Sequence, residues 1–244
     1  MIEMNKQTNK LGVIGGLGPL ATAYFYELVT EFTEIKTEQD HLEILLYSAP
    51  SIPDRTSYIL DNTKPSPLPG IIRVGKQLVN ADCSVIAIPC VTAHHFFDQF
   101  EKEIDADIIS MTKETALELK RNGIKTVGIM ATDGTIKTKI LENELRAEGI
   151  VPVIPSPEGQ AGVMDLIYRC VKQGNPLDME KFHRISKELR DNGAEIIILG
   201  CTELSLFRRE NIGSGYLDVL EVLASRSIEK CGGTVREKYR NLLK

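Results

Sequence analysis

The stretch IIILGCTELSLF, residues 196–207, runs from consecutive β-branched and apolar residues into Gly-Cys-Thr and then into a segment that reads as a helix. Much earlier, IPCVTAHHF, residues 88–96, has the same grammar: an apolar run, a cysteine, a threonine within two residues, then helical letters. Short continuous apolar runs of this kind mark strands buried on both faces, as in parallel sheets covered by helices. The two stretches therefore predict an α/β fold in which a thiol stands at the carboxyl end of a strand, twice.

Around them, β-branched runs alternate with longer stretches of helical period. Strands are expected at 11–16, 42–49, 84–89, 106–110, 126–130, 151–156, 195–200 and 215–219, and helices at 20–34, 70–81, 112–123, 135–149, 161–174 and 178–193. Several helices end in a stop signal, as at Asn122-Gly123, Glu148-Gly149 and Asn192-Gly193. GVIGGLG at 12–18 and GIMATDG at 128–134 share their glycine spacing, and each precedes a strand-end cysteine by a similar interval. That order predicts a duplicated unit: two similar doubly wound parallel-sheet domains related by a pseudo-two-fold, with the active site in the cleft where strand ends meet.

Composition sets the outer limits. A chain of 244 residues suits one large domain or two of roughly 100 to 120 residues. A net charge of −5 without a long basic run argues against nucleic acid as a partner. The polar start MIEMNKQTNK lacks a signal-peptide core, and no run approaches the roughly 20 apolar residues of a membrane span, so no membrane association and a cytoplasmic location are expected. The five cysteines are odd in number and form no CxxC pair, which suggests neither a disulfide framework nor a zinc site.

The motifs carry the chemistry. GGLGPLA at 15–21 imitates a dinucleotide fingerprint, but the second strand ends in LYSAP without the acidic residue that fingerprint needs. A glycine turn at Gly18 that presents backbone N–H groups to a small anion fits better. Cys83, Cys170 and Cys231 sit in or beside helical patterns and read as small buried hydrophobes. Cys90 and Cys201 sit where a helix start would favour the thiolate, with Thr92 and Thr202 as hydroxyl donors.

Two such thiols suit a redox pair, a nucleophile with its resolver, or two proton carriers on opposite faces of one carbon. The matched placement in two halves favours the last. In IPDRT, Arg55 follows the second strand and is either a solvated loop residue or a carboxylate clamp. Thr132 and Thr135 are helix caps, anion donors or both. His94 and Glu203 either tune the thiols or satisfy the first helical turn.

With these residues in hand, the chain resembles the aspartate/glutamate racemases, the cofactor-independent branch. The matching pieces are IGGLGPLAT (14–22), IPDRT (52–56), PCVTAHHF (89–96), GIMATDGT (128–135), the IY…K.G segment at 167–174 and LGCTELSL (199–206), in the family's order. The resemblance implies two α/β domains, 1–112 and 113–215, with 216–244 returning to the first, and a homodimer. It implies an amino-acid racemase with Cys90 and Cys201 as its two bases and no cofactor, pyridoxal phosphate or metal. Gly18, Arg55, Val91, Thr92, Thr132, Thr135 and Thr202 fall at substrate-contacting positions, and His94 and Glu203 at auxiliary ones.

Two departures concern carboxylate recognition. The family usually reads PCNTAH where this chain has Val91, and a lysine often stands about where this chain has Gly162. Acidic-substrate preference is therefore expected to be altered while the proton carriers remain. The alternatives are a hydantoin racemase, a maleate isomerase-like or arylmalonate decarboxylase-like enzyme of the same fold, or an amino-acid-binding relative without catalysis.

Overall fold

The computed structural model describes residues 9–243. Most of the polar N-terminal stretch, residues 1–8, lies outside the described residues. Each of the eight expected strands is present, and they divide into two parallel four-stranded sheets. β1 (Leu11–Gly15), β2 (Ile44–Ser48), β3 (Val85–Ala87) and β4 (Asp107–Ile108) form the first, in the order β2-β1-β3-β4. β5 (Thr126–Met130), β6 (Val151–Val153), β7 (Ile196–Leu199) and β8 (Tyr216–Asp218) form the second, in the order β6-β5-β7-β8. Numbered from its own first strand, each sheet has the same order, so the duplication read from the glycine spacing is a duplication of topology.

The central strands explain the continuous apolar runs. Every residue of β1 and β3 is buried, and in β5 and β7 only the first residue of each is partly open. The edge strands β2 and β6 are mostly exposed or half-exposed. Helices fill the connections: α1 (Pro19–Phe32), α2 (Arg55–Leu60), α3 (Leu68–Val79), α4 (Phe97–Glu101) and α5 (Met111–Arg121) in the first half. The second half adds α6 (Asp133–Thr138), α7 (Ile140–Ala147), α8 (Pro157–Asp165), α9 (Met179–Asp191), α10 (Arg209–Ile212) and α11 (Val219–Lys230).

Two expected helices are interrupted. The segment 135–149 breaks at Lys139, whose φ of 56° places a non-glycine residue in the left-handed region and separates α6 from α7. The segment 161–174 is α-helical only to Asp165, and Leu166–Lys172 continues as a π-helix, a wider turn frequently found at functional sites.

The last helix of each half packs on the other. α5 follows the first sheet but lies on α7, while α11 follows the second sheet and lies on α1 and β3. One apolar cluster accordingly joins Phe25 and Leu28 of α1, Ile129 and Leu141 of the second half, and Leu220 and Leu223 of α11. Each such fully buried leucine contributes about 1.5–3 kcal/mol. The C-terminal segment divides: Tyr216–Asp218 pair with β7 in the second sheet, and the return to the first half starts with α11 and continues through the Thr33–Val235 bridge.

Candidate active site

The third strand of each sheet delivers a cysteine. Beyond β3 the chain turns at Pro89, where Cys90 N donates to Ile88 O at 2.7 Å, and Cys90 itself is extended (φ −160°, ψ 104°) as the N-cap of a 3-10 turn over Val91–Phe96. Beyond β7, Gly200 packs against Ala131 and the Met130 carbonyl, each 3.1 Å from where a Cβ would stand, so β5 and β7 converge and Cys201 emerges at their ends. The segments after both cysteines are 3-10 turns, over Val91–Phe96 and Leu204–Phe207, where α-helix starts were expected.

Cys90 and Cys201 are each 6% exposed and line a single inner cavity of about 10 Å³, the room of one water-sized sphere. A second cavity of about 400 Å³ adjoins it, and Leu17, Asp54, Arg55, Lys172 and Glu203 line both. The larger cavity carries the apolar surfaces of Leu20, Ala21, Pro50, Ile52 and Val171.

The two sulfurs meet opposite charge. Cys201 Sγ donates to Glu203 Oε2 at 2.9 Å, and full burial together with that carboxylate pushes its thiol well above its ordinary 9.0. The expectation that a helix start would favour the Cys201 thiolate is thereby corrected: a 3-10 turn has little dipole to offer, and an adjacent carboxylate opposes ionisation. Cys90 instead neighbours Arg55. Burial would lower the Arg55 pKa, but its neighbours Cys90, Asp54 and Glu203 outweigh it and hold the guanidinium above its usual value.

Arg55 is no loop residue in solvent. It is 7% exposed at the first turn of α2, where Asp54 accepts from Ser57 N at 2.8 Å as the N-cap, and its guanidinium donates to the carbonyls of Leu17 and Pro53. Gly18 supplies space: a Cβ there would stand 2.5 Å from Glu203 Oε1. The Gly16 N–H is taken by Thr22 Oγ1 at 2.9 Å, so that amide of the glycine turn serves the start of α1 and no ligand.

Thr92, Thr132 and Thr135 form a closed hydroxyl triangle across the two halves, with Oγ1 separations of 3.0, 3.1 and 3.2 Å. Thr132 is also the N-cap of α6, accepting from Thr135 N, so cap and cross-half contact are the same atom. Thr202 Oγ1 donates to Pro89 O at 3.3 Å, tying the second cysteine's turn to the first cysteine's strand. Val91 is 2% exposed, lines the inner cavity and belongs to the apolar cluster that joins the halves.

His94 does not face a thiol. Its Nε2 accepts from Met111 N at 3.1 Å, so Nδ1 carries the proton and donates to Cys90 O at 3.0 Å, and burial holds the ring neutral. It fixes the backbone of the Cys90 turn against the start of α5.

Asp54 and Lys172 line both cavities and lay outside the sequence-based set, as did Tyr168, which lines neither cavity but reaches Asp54. Lys172 Nζ is 3.3 Å from Asp54 Oδ2 and 4.0 Å from the Tyr168 ring centroid, and the Tyr168 hydroxyl lies 3.3 Å from Asp54 Oδ1. Tyr168 and Lys172 sit on the π-helix, which latches the second half to α2 in the first. The signal for them stood in IPDRT and IY…K.G, read there only as pieces of a pattern. Gly162, where a lysine was missed, lies on α8 against Ile185 and lines neither cavity, whereas the cavity cation of the second half is Lys172.

The sequence profile of the Asp/Glu/hydantoin racemase family matches residues 14–225. The chain belongs to this family. Aspartate racemase from Picrophilus torridus superposes with a TM-score of 0.87 at 30% identity, covering 96% of this chain and 99% of that one. An aspartate racemase homologue from Pyrococcus horikoshii superposes at 0.74 with 25% identity, covering 92% and 99%. Among curated proteins, the broad specificity amino-acid racemase RacX of Bacillus subtilis is 26% identical over 203 residues, 80% of this chain and 86% of that protein. Glutamate racemase from Francisella tularensis, at 16% identity and a TM-score of 0.63, shares the fold. Membership places the chain among isomerases of the racemase class that act on a small molecule, and no helix among its described residues is long and apolar enough to cross a membrane.

Proposed function

We propose that the chain is an amino-acid racemase that inverts Cα without pyridoxal phosphate, with Cys90 and Cys201 as the two proton carriers. The observation that carries this reading is their common inner cavity, reached from the third strand of each of two sheets of identical order. In one direction the Cys90 thiolate, beside the Arg55 cation, removes the Cα proton and becomes a thiol. The Cys201 thiol then donates its proton to the opposite face of the carbon and becomes a thiolate. The pair ends with its protonation exchanged, which equips it for the reverse inversion. Charge that develops on the substrate carboxylate is met by Arg55 and by the hydroxyls of Thr92, Thr132 and Thr202, a preorganised set of donors.

An amino acid does not fit in about 10 Å³, so binding requires the halves to part at the latch formed by Asp54 and Lys172. The substrate side chain then lies in the larger cavity, whose apolar wall and Val91 favour neutral or apolar side chains over acidic ones alone. RacX, described as of broad specificity, supports that breadth. The enzyme is placed in the cytoplasm and as a homodimer on the same reading.

The unequal surroundings of the two sulfurs favour a second reading, a maleate isomerase-like reaction in which the cysteines differ in role. One experiment separates the two: each of the common L-amino acids, a hydantoin and maleate are incubated with the protein in deuterated water. Loss of the Cα proton signal with formation of the other enantiomer supports racemisation, and its absence for every amino acid removes the reading. Cys90→Ser and Cys201→Ser each abolish racemisation, and retention by both variants rejects the two-thiol mechanism.

A further inference from the structure

Where the cavities join, two buried polar atoms have no hydrogen-bond partner among the described residues: Arg55 Nε and Glu203 Oε1. Their residues are 7% and 4% exposed, and both line the inner and the outer cavity. An orphaned buried donor or acceptor has given up its hydration without a replacement bond, at a cost that rises when the group is charged. The other polar atoms of both side chains are engaged. Arg55 donates to Pro53 O and Leu17 O, while Glu203 Oε2 accepts from Cys201 Sγ at 2.9 Å and lies 3.4 Å from Thr202 Oγ1. Asp54 and Lys172, the remaining charges at this junction, pair with each other at 3.3 Å. The site thus leaves a cationic nitrogen, Arg55 Nε, and an anionic oxygen, Glu203 Oε1, without partners on the same two cavities.

That pair is complementary to a carboxylate beside an ammonium, the zwitterionic head of an α-amino acid. A carboxylate without the amine would satisfy Arg55 and leave Glu203 Oε1 without a hydrogen bond, although Lys172 and Arg55 oppose its charge. Resting on the racemase reading above, we propose that Glu203 Oε1 receives the substrate α-ammonium and Arg55 Nε its α-carboxylate. Glu203 is then a binding residue as well as the partner of Cys201. One carboxylate grips the nitrogen on Cα and the thiol that serves Cα, which places that thiol on a defined face of the carbon. The arriving ammonium also shares the charge that holds the thiol proton, freeing it towards the substrate. Gly18 belongs to this arrangement, because a side chain there would collide with the receiving oxygen.

The test compares L-alanine, L-leucine and L-aspartate with propionate, 4-methylpentanoate and succinate by calorimetry. The wild type binds at least one amino acid roughly tenfold or more tightly than its des-amino counterpart, as a charged hydrogen bond provides. N-acetylation of that amino acid, which removes the ammonium charge, abolishes the preference without any change to the protein. Glu203→Gln brings the ratio to within about threefold, whereas Cys201→Ser, which keeps the carboxylate, leaves the ratio intact. Absence of any amino-acid preference in the wild type, including binding of none of the six, overturns the assignment, as does a preference that survives Glu203→Gln. Preference without deuterium entry at Cα would remove the racemase reading and leave this assignment standing.

Discussion

The Cys201 thiol donates to the Glu203 carboxylate across 2.9 Å, two residues along the same turn. A thiol held this way has its ionisation delayed, so at pH 8.5 Cys201 alkylates slowly with iodoacetamide. Glu203→Gln removes the opposing charge and accelerates alkylation at Cys201, read by peptide mass spectrometry. An unchanged rate would show that the carboxylate does not govern the sulfur.

The same shift has a stability sign. Cys201 has a folded pKa raised above its unfolded value, so its contribution is intact below about pH 9 and falls as pH climbs through the folded value. Denaturant melts between pH 8 and 10.5 therefore show the wild type losing stability faster than Cys201→Ser, which does not titrate there.

Asp218 gives a second, lower window. It is buried beside Glu221, and burial first, then that neighbouring carboxylate, pushes it up to about 7, while Ser205 Oγ at 2.7 Å and Leu220 N at 2.8 Å hydrogen-bond to it. A carboxyl raised in the folded state contributes stability that is complete below its ordinary 3.8 and lost as pH rises through 7. Asp218→Asn keeps both hydrogen bonds and flattens the fall in stability between pH 4 and 7.

Gly18→Ala places a methyl group 2.5 Å from Glu203 Oε1, which must move. Because that oxygen is the far end of a flexible side chain beside a cavity, the displacement costs little stability. Activity is expected to fall by more than the thermal shift implies, because the displaced oxygen belongs to the site. A variant of unchanged kcat/KM would show that Glu203 relocates harmlessly.

Val91→Asn restores the amide that the family usually carries next to the first cysteine. At a position 2% exposed, the buried amide costs about 1–3 kcal/mol unless it is bonded. Turnover of aspartate rises relative to leucine when the two are compared as competing substrates. An unchanged ratio would relieve Val91 of any part in specificity.

The strands and the two cysteines were legible because a strand buried on both faces has to be written as a continuous apolar run, and a polar or nucleophilic residue ending one stands out. The glycine spacing exposed the duplication for a similar reason, since a tight turn tolerates few alternatives. What escaped depended on contacts between segments distant in sequence. Lys172 and Tyr168 occupy a regular-looking helical pattern, and only the π-turn and Asp54, more than a hundred residues away, give them meaning. The break at Lys139 was hidden because lysine carries no turn signal for the left-handed φ it adopts. The high Cys201 pKa followed first from burial and then from Glu203, which was noted two residues away without a way to know that its carboxylate turned back onto the sulfur.

The crossed placement of α5 and α11 bears on how this molecule can be taken apart. A fragment cut between the two sheets would keep one half's strands but forfeit the helix that shields them, leaving the apolar faces of α1 and β3 bare and α5 without its support. Gene splitting, swapping of halves between relatives, or expression of either piece alone should yield sticky, incompletely folded material. The repeat visible in the strand order is, for the purposes of folding, one indivisible body.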